Sequence, residues 1–245
     1  MQEIGVGICQ RCGGTGWAPP PEEPHGPVQR CECFRAERQQ RLLSHAGIPR
    51  RYEHCALGNF ETEFSSAHPT LHGARLKCER YVDAFRDREH GLLLFGPIGV
   101  GKTHLAVAVL RALIERYGVR AHFADFRDLL RSIQDSYNSV SETSELQVLR
   151  PLLEAEVLLL DELGARRPTA WVLDTVTHIL NDRYNRAQVT LITTNYGDAA
   201  GNERVTLQER VGKRLRSRLY EMCDPVEVLG DDFRQEIKSA AFQAY

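Results

Sequence analysis

A parallel α/β sandwich is the fold class this sequence predicts, and three observations predict it. All-apolar runs of strand length, LLLF at residues 92–95 and VLLL at 157–160, have no polar alternation. Such runs belong to strands buried on both faces, as in a parallel sheet covered by helices on either side. A glycine-rich turn, GPIGVGKT, leaves the first run directly and opens a helix. From there strand and helix patterns alternate, which is the order that builds parallel crossovers.

The elements follow in order. Residues 33–47, CFRAERQQRLLSHAG, read as a basic helix ending near Gly47, and an irregular stretch containing Pro49 follows. A helix over 74–89 leads into the strand at 92–95, and the next helix is apolar on nearly every side from Leu105 onward. Strand 119–124, helix 125–137, strand 156–162, a long helix from Thr169 and strand 189–195 complete the alternation. Val172, Val176, Ile179, Leu180 and Tyr184 recur at helical spacing in the long helix. SYNSVSETSE, residues 136–145, is polar and predicts an exposed loop. QERVGKRLRSRLYEM, residues 208–222, is amphipathic: Val211, Leu215 and Leu219 share one face, and Arg210, Arg214 and Arg218 fall beside it at i, i+4 and i+8. The strand-like PVEVLG comes next, and about fifteen residues follow, too few for a helical lid over a ligand. The expected organisation is a small module at 1–40, a linker at 41–73 and the sandwich at 74–245.

Composition excludes several classes. Over 245 residues, 42% hydrophobic and 26% charged content suit an ordinary folded core. No apolar run reaches the roughly 18 residues needed to cross a membrane, and the first residues lack the pattern of a secretion signal, so a cytoplasmic protein is expected. A net charge of −2 excludes a blanket basic surface and leaves local patches, at 30–51 and 204–218, for any nucleic-acid contact.

The glycine turn fits G-x-x-x-x-G-K-[ST], and its place between a buried strand and a helix is the context the motif requires. Gly96, Pro97, Ile98, Gly99, Val100, Gly101, Lys102, Thr103 and His104 form the predicted nucleotide-binding set. Backbone amides at the helix N-terminus make an anion cup, Lys102 adds a charge for the β- and γ-phosphates of ATP, and Thr103 offers a hydroxyl to Mg2+. At the carboxyl end of the second apolar strand, Asp161 is the expected second Mg2+ ligand through its water shell. Glu162 is the residue expected to orient an attacking water, and Asn195, at the end of a neighbouring strand, to bond that water or the γ-phosphate. An arginine at the edge of the domain, among Arg210, Arg214 and Arg218, could reach the γ-phosphate held by a neighbouring subunit; a solvated basic face or a nucleic-acid patch is the alternative.

Four of the seven cysteines lie in the first 33 residues. Cys9 and Cys12 have zinc-knuckle spacing, and Cys31 and Cys33 would close a tetrahedral thiolate site for Zn2+, with His25 as a substitute ligand because the second pair is C-x-C. Disulfides or free thiols are the alternative. The intervening APPPEEPHGPV cannot form a core, so a metal would supply the missing stability.

These segments, in this order, resemble the AAA+ ATPases, and among them the bacterial helicase loaders of the DnaC/DnaI type. HAGIPRRYEHCALGNF looks like the segment these proteins carry before the core, FGPIGVGKTHLAVAV like their Walker A, VLLLDELG like Walker B, LITTNY like sensor 1 and RLRSRLYEM like the arginine-finger helix. The resemblance covers almost the whole chain. It implies an AAA+ three-layer sandwich and ATP hydrolysis in a homo-oligomer with an arginine finger in trans, Arg218 first and Arg214 in reserve; the short stretch after PVEVLG departs from the family pattern, so the lid is expected to be absent or vestigial and hydrolysis slow until a partner completes the site. It also implies a replicative hexameric helicase and single-stranded DNA as partners, with the cysteine module gripping the helicase. Tyr137 and Trp171 could then stack on bases and Arg166 and Arg167 contact phosphates, although core packing is favoured for Trp171. Arg234 is a candidate second sensor. An IstB-type transposition helper resembles the chain equally well across the core, and a zinc adaptor whose nucleotide pocket acts only as a switch is the alternative of another class.

Overall fold

The computed structural model describes residues 9–19, 26–64, 67–138, 144–198 and 205–234. A two-stranded antiparallel ribbon, β1 (Trp17–Ala18) and β2 (Gln29–Arg30), precedes α1 (Glu32–His45). After two short 3-10 turns come α2 (Thr70–Asp83), β3 (Gly91–Phe95), α3 (Lys102–Tyr117), β4 (Ala121–Asp125) and α4 (Phe126–Ser136). Then follow α5 (Glu145–Glu154), β5 (Val157–Asp161), α6 (Ala170–Asn185), β6 (Val189–Thr194), α7 (Leu207–Val211), α8 (Lys213–Met222) and β7 (Cys223–Glu227).

The five long strands make one parallel sheet in the order β4-β5-β6-β3-β7. Its central strands are buried at nearly every position because both faces are covered. One cluster, with Leu92, Leu94, Leu159 and Leu191, packs under α2 and α3; the other, with Leu93, Leu158, Leu160 and Ile192, packs under α4, α5, α6 and α8. Successive residues of one strand therefore feed opposite layers, as a pleated strand requires. The sandwich has three layers, as the apolar runs predict.

β6 lies between β3 and β5. The strand that leads into the phosphate loop and the strand that ends in Asp161 are consequently one strand apart, and the carboxyl end of β6 separates their loops. At the exposed side of the sheet, Phe123 N of β4 donates to Ala46 O at 2.7 Å, so the chain just beyond α1 covers part of that edge.

Two local expectations are corrected, and one helix is added. The helix expected at 74–89 begins at Thr70 and stops at Asp83, with a 3-10 turn (Phe85–Asp87) before β3. The polar stretch expected to be a loop runs into α5 at Glu145; residues 139–143 lie outside the described set. Ser144 caps that helix in a reciprocal box with Gln147, and Leu149 and Leu152 are buried. The arginine stretch is broken at Gly212 (φ 81°, ψ 152°), so Arg210 sits on α7 and does not stack with Arg214 and Arg218 on α8. Val211, Leu215 and Leu219 are nevertheless all buried. Among the described residues, no helix is long and apolar enough to cross a membrane.

Candidate nucleotide site and cysteine cluster

The phosphate loop is built where β3 ends. Gly101 has φ 92°, and a Cβ there would press into the Phe60 ring, so the turn needs glycine for both conformation and space. Lys102 is buried at the start of α3, and its Nζ donates to Gly96 O at 2.8 Å and Pro97 O at 2.5 Å, which lays the ammonium along the inside of the loop. Thr103 Oγ1 donates to Asp161 Oδ1 at 2.9 Å. The two residues expected to hold Mg2+ are thus already in contact across 58 positions of sequence.

Thr193 completes this corner. Its hydroxyl donates to the same Asp161 Oδ1 at 2.5 Å and accepts from Glu162 N at 2.9 Å. Burial pushes the Asp161 carboxyl up from its ordinary value, and the two threonine hydroxyls work against that by bonding the charged form. Glu162 adopts φ 57°, a left-handed conformation that is uncommon for a residue with a side chain. The backbone turns there because Leu163 N bonds Thr193 O at 2.8 Å and Thr194 Oγ1 bonds Leu163 O at 2.8 Å. The Glu162 carboxylate pairs with Arg127 at 3.7 Å. Neither Thr193 nor Arg127 was singled out from the sequence; the doubled threonine before Asn195 was the available signal for the first, and nothing local signals the second.

A cavity of about 240 Å3 joins these groups. Lys102, Thr103, Glu162, Thr193 and Asn195 line it together with Arg51, Tyr52 and Arg234. Arg234 therefore faces the same space as the phosphate loop. A neighbouring cavity of about 260 Å3 is more apolar, walled by Phe60, Phe64, Leu71, Val100, His104 and Phe233. The segment beyond β7 reaches it by packing Phe233 against Phe64, ring centroids 5.5 Å apart, while Phe233 N donates to Gly99 O at 3.4 Å. Ile98 is exposed at the loop's tip.

The arginines divide. Arg218 is half-buried, bonds Asn181 of α6 and lies over Tyr184. Arg214 is exposed and has no ion-pair partner among the described residues. Arg210 stacks on Tyr196 at 4.5 Å. At the end of α4, Tyr137 is exposed with its hydroxyl donating to Glu145 at 3.0 Å, and Arg166 donates to Gln134 at 3.2 Å, so these two candidate DNA residues share one side of the molecule. Arg167 is exposed, and Trp171 is half-buried against the apolar cluster under α6, consistent with core packing.

The four cysteines converge. The sulfurs of Cys9, Cys12, Cys31 and Cys33 all lie within 4.8 Å of one another, with Cys12 to Cys33 at 3.4 Å and Cys9 to Cys31 at 3.9 Å. Four thiolates around zinc, at a Zn–S bond of about 2.3 Å, stand roughly 3.8 Å apart, so the residues fit that metal. His25 lies outside the described residues. The glycine-rich turn aims amides at the sulfurs: the Gly16 N–H leads in lowering Cys12 to about 6, and the backbone of Cys12, then of Arg11, lowers Cys9. Cys33 is pushed up to about 12, first by its contact with Cys12 and then by that with Cys31.

A phosphate loop and an acidic strand end set one strand apart define a P-loop ATP-binding protein with the AAA+ sheet. The family model for IstB-like ATP binding proteins matches residues 28–241, and the chain belongs to that family. It is 27% identical over 218 residues to the uncharacterized protein YqaM of Bacillus subtilis (strain 168), covering 84% of this chain and 65% of that protein. It is 28% identical over 184 residues to the replicative helicase loader DnaC of Escherichia coli (strain K12), covering 74% of this chain and 71% of that one. Among solved structures, the DnaC helicase loader superposes with a TM-score of 0.63 at 31% identity, over 74% of this chain and 99% of the other. DnaI shares the fold, with a TM-score of 0.59 at 23% identity, covering 74% and 94%.

Proposed function

We propose that the protein is an ATPase that attaches to a replicative hexameric helicase in the cytoplasm and helps place it on single-stranded DNA. The observation that carries the catalytic part is the Thr103–Asp161 contact with Glu162 beside it, facing the cavity that Lys102 enters. The likeness to the DnaC loader supports the choice of partner.

In this reading the ATP phosphates lie in the loop's amide cup with Lys102, and the adenine enters the apolar cavity between Phe60, Leu71, Val100 and Phe233. Mg2+, when bound, neutralises the β- and γ-phosphate oxygens, and Thr103 and Asp161 are the residues to hold it. Glu162 orients a water for in-line attack and accepts its proton; the water oxygen bonds the γ-phosphorus as the bond to the β–γ bridging oxygen breaks, leaving ADP and phosphate, to which the proton passes. Asn195 steadies the water or the γ-phosphate, and Arg234 faces the phosphates from the opposite wall. A neighbouring subunit supplies the arginine finger. Arg214, exposed and unpaired, suits that role better than Arg218, which is engaged with Asn181. Tyr137, Arg166 and Arg167 contact DNA, and the zinc-bound module at 1–40 grips the helicase, with 41–73 tying it to the ATPase domain.

The test is co-elution by size exclusion with light scattering of the full chain, ATP, Mg2+ and the replicative helicase from the same organism, repeated with Cys12→Ser. A complex that the substitution abolishes supports a loader with a zinc grip. Glu162→Gln should keep ATP bound while lowering turnover about 100-fold or more. The IstB-like family match favours a second reading, a transposition helper; absence of any helicase complex would direct the search to a transposase. ATP bound without turnover under any partner would favour the adaptor with a nucleotide switch.

A further inference from the structure

Beside the phosphate loop lies a second group of side chains with metal-ligating atoms, one of which, His104, also closes the predicted nucleotide-binding set. His54 and Cys55, in the irregular segment ahead of α2, meet His104 in the first turn of α3, with one ligand atom from each within 4.8 Å of the others. One sulfur and two imidazoles are a soft donor set, suited to zinc, cobalt or cuprous ions and unsuited to Mg2+.

The surroundings are arranged as a metal-binding histidine needs. His104 Nε2 faces Ala56 O at 3.2 Å and Asn59 Oδ1 at 2.9 Å. Asn59 is fixed in that orientation, since its Oδ1 also accepts from Ala56 N at 2.9 Å and its Nδ2 donates to His54 O at 2.7 Å. Both groups facing Nε2 are acceptors, so Nε2 carries the hydrogen and Nδ1 keeps its lone pair. A ligating imidazole is normally oriented by such a bond from its other nitrogen. Cys55 is 1% exposed. His54 is exposed, its ring edge-on to His104 at 6.0 Å.

We propose that His54, Cys55 and His104 form a second metal site, for a zinc-class ion with its fourth position open to water, and that metal bound there opposes nucleotide binding. The second clause rests on the nucleotide reading above; the first does not. Antagonism follows from position: His54 and His104 line both cavities, so an ion and its water between them narrow the space a nucleotide must enter.

The test uses the full chain with its four-cysteine cluster first filled by one equivalent of Zn2+, then titrated with Co2+, whose bond to a thiolate gives near-ultraviolet charge-transfer absorption. The expected result is a band for a single thiolate that is absent in Cys55→Ser and needs at least ~10-fold more Co2+ in His54→Ala. His54 is exposed, so that variant folds. No such band, or one that persists in Cys55→Ser, overturns the site. For the second clause, the affinity of a fluorescent ADP analogue should fall about fivefold or more on adding a second zinc equivalent to wild type, and not in Cys55→Ser. That variant suffers the same chelation of zinc by phosphate, so an equal fall in both overturns the antagonism. Failure of the analogue to bind before any zinc is added would instead strike the ATP reading and leave the cobalt result standing.

Discussion

The cysteine segment buries Cys12, Ala18 and Cys31, with Cys9 and Cys33 packed beside them, whereas the ATP-binding sandwich closes two extended apolar clusters around its sheet. Burial stabilises at about 25 cal/mol per Å2 of apolar surface, and three small side chains supply little of it. Four converging sulfurs offer the segment another source of stability, metal–thiolate bonds, where binding energy and folding energy are one quantity. The sandwich folds on apolar burial and can spend its polar groups, Lys102, Asp161 and Thr193, on a ligand. On the zinc reading one region needs its ion to fold, whereas the other needs its ligand only to act.

The largest effect that separates them is Lys102→Ala. Losing the charge-assisted contacts to two phosphates should weaken nucleotide binding on the order of 100-fold, read by titration with a fluorescent nucleotide, while zinc content stays unchanged. If zinc were lost as well, the regions would be coupled. Next comes zinc removal. Chelation, or Cys12→Ser, should make the chain cleavable near residues 9–31 in limited proteolysis while the melting temperature of the sandwich moves by no more than about 2 °C. A large shift would mean that α1, which packs Leu42 and Leu43 on the first cluster, carries strain from the module into the core.

The same contrast explains what was readable in the sequence. The glycine turn, the two apolar runs, Asp161 and the four cysteines are local signals whose chemistry demands particular residues at fixed spacing, and the structure brings them together. The order of the strands was not readable, because it depends on which faces pair, and β3, β5 and β6 are all buried along nearly their whole length. Helix α5 was hidden by a polar lead-in and by Pro151, which reads as a breaker yet sits inside the helix. The arginine stretch looked continuous because i, i+4 spacing passes unchanged over Gly212, where the backbone turns. Phe60, Phe64 and Phe233 meet only after the chain beyond β7 folds back over Gly99, a long-range event with no local pattern.

A smaller effect lies within the core. Arg127 holds Glu162 by an ion pair whose side chains are 59% and 40% exposed. Pairs this open contribute up to about 1 kcal/mol, so Arg127→Ala should raise basal ATP turnover by roughly two- to fivefold in a phosphate-release assay. The cysteine cluster should not respond, and unchanged or lower turnover would mean that Arg127 positions Glu162 rather than restraining it.

Acid separates the regions least sharply, because it attacks both by different routes. In the sandwich, burial lowers the pKa of His122 on the edge strand β4 and of His104 beside the phosphate loop. The folded state keeps these imidazoles neutral, while the unfolded chain takes up a proton near the ordinary value of about 6.5. Below that value the unfolded state binds more protons, so the contribution to stability is complete at neutral pH and lost as the pH falls toward the lowered values. His122→Gln removes one of the two titrations. The fall in melting temperature between about pH 7.5 and pH 5 should therefore be shallower than in wild type but not abolished, since His104 remains. In the cysteine cluster, protons compete with zinc for the thiolates, so zinc release followed with a colorimetric chelator should be the same in wild type and His122→Gln. A melting curve that flattens while zinc release is unmoved places the acid sensitivity of the core in its own half-buried histidines; parallel changes in both would mean that the two regions unfold as one.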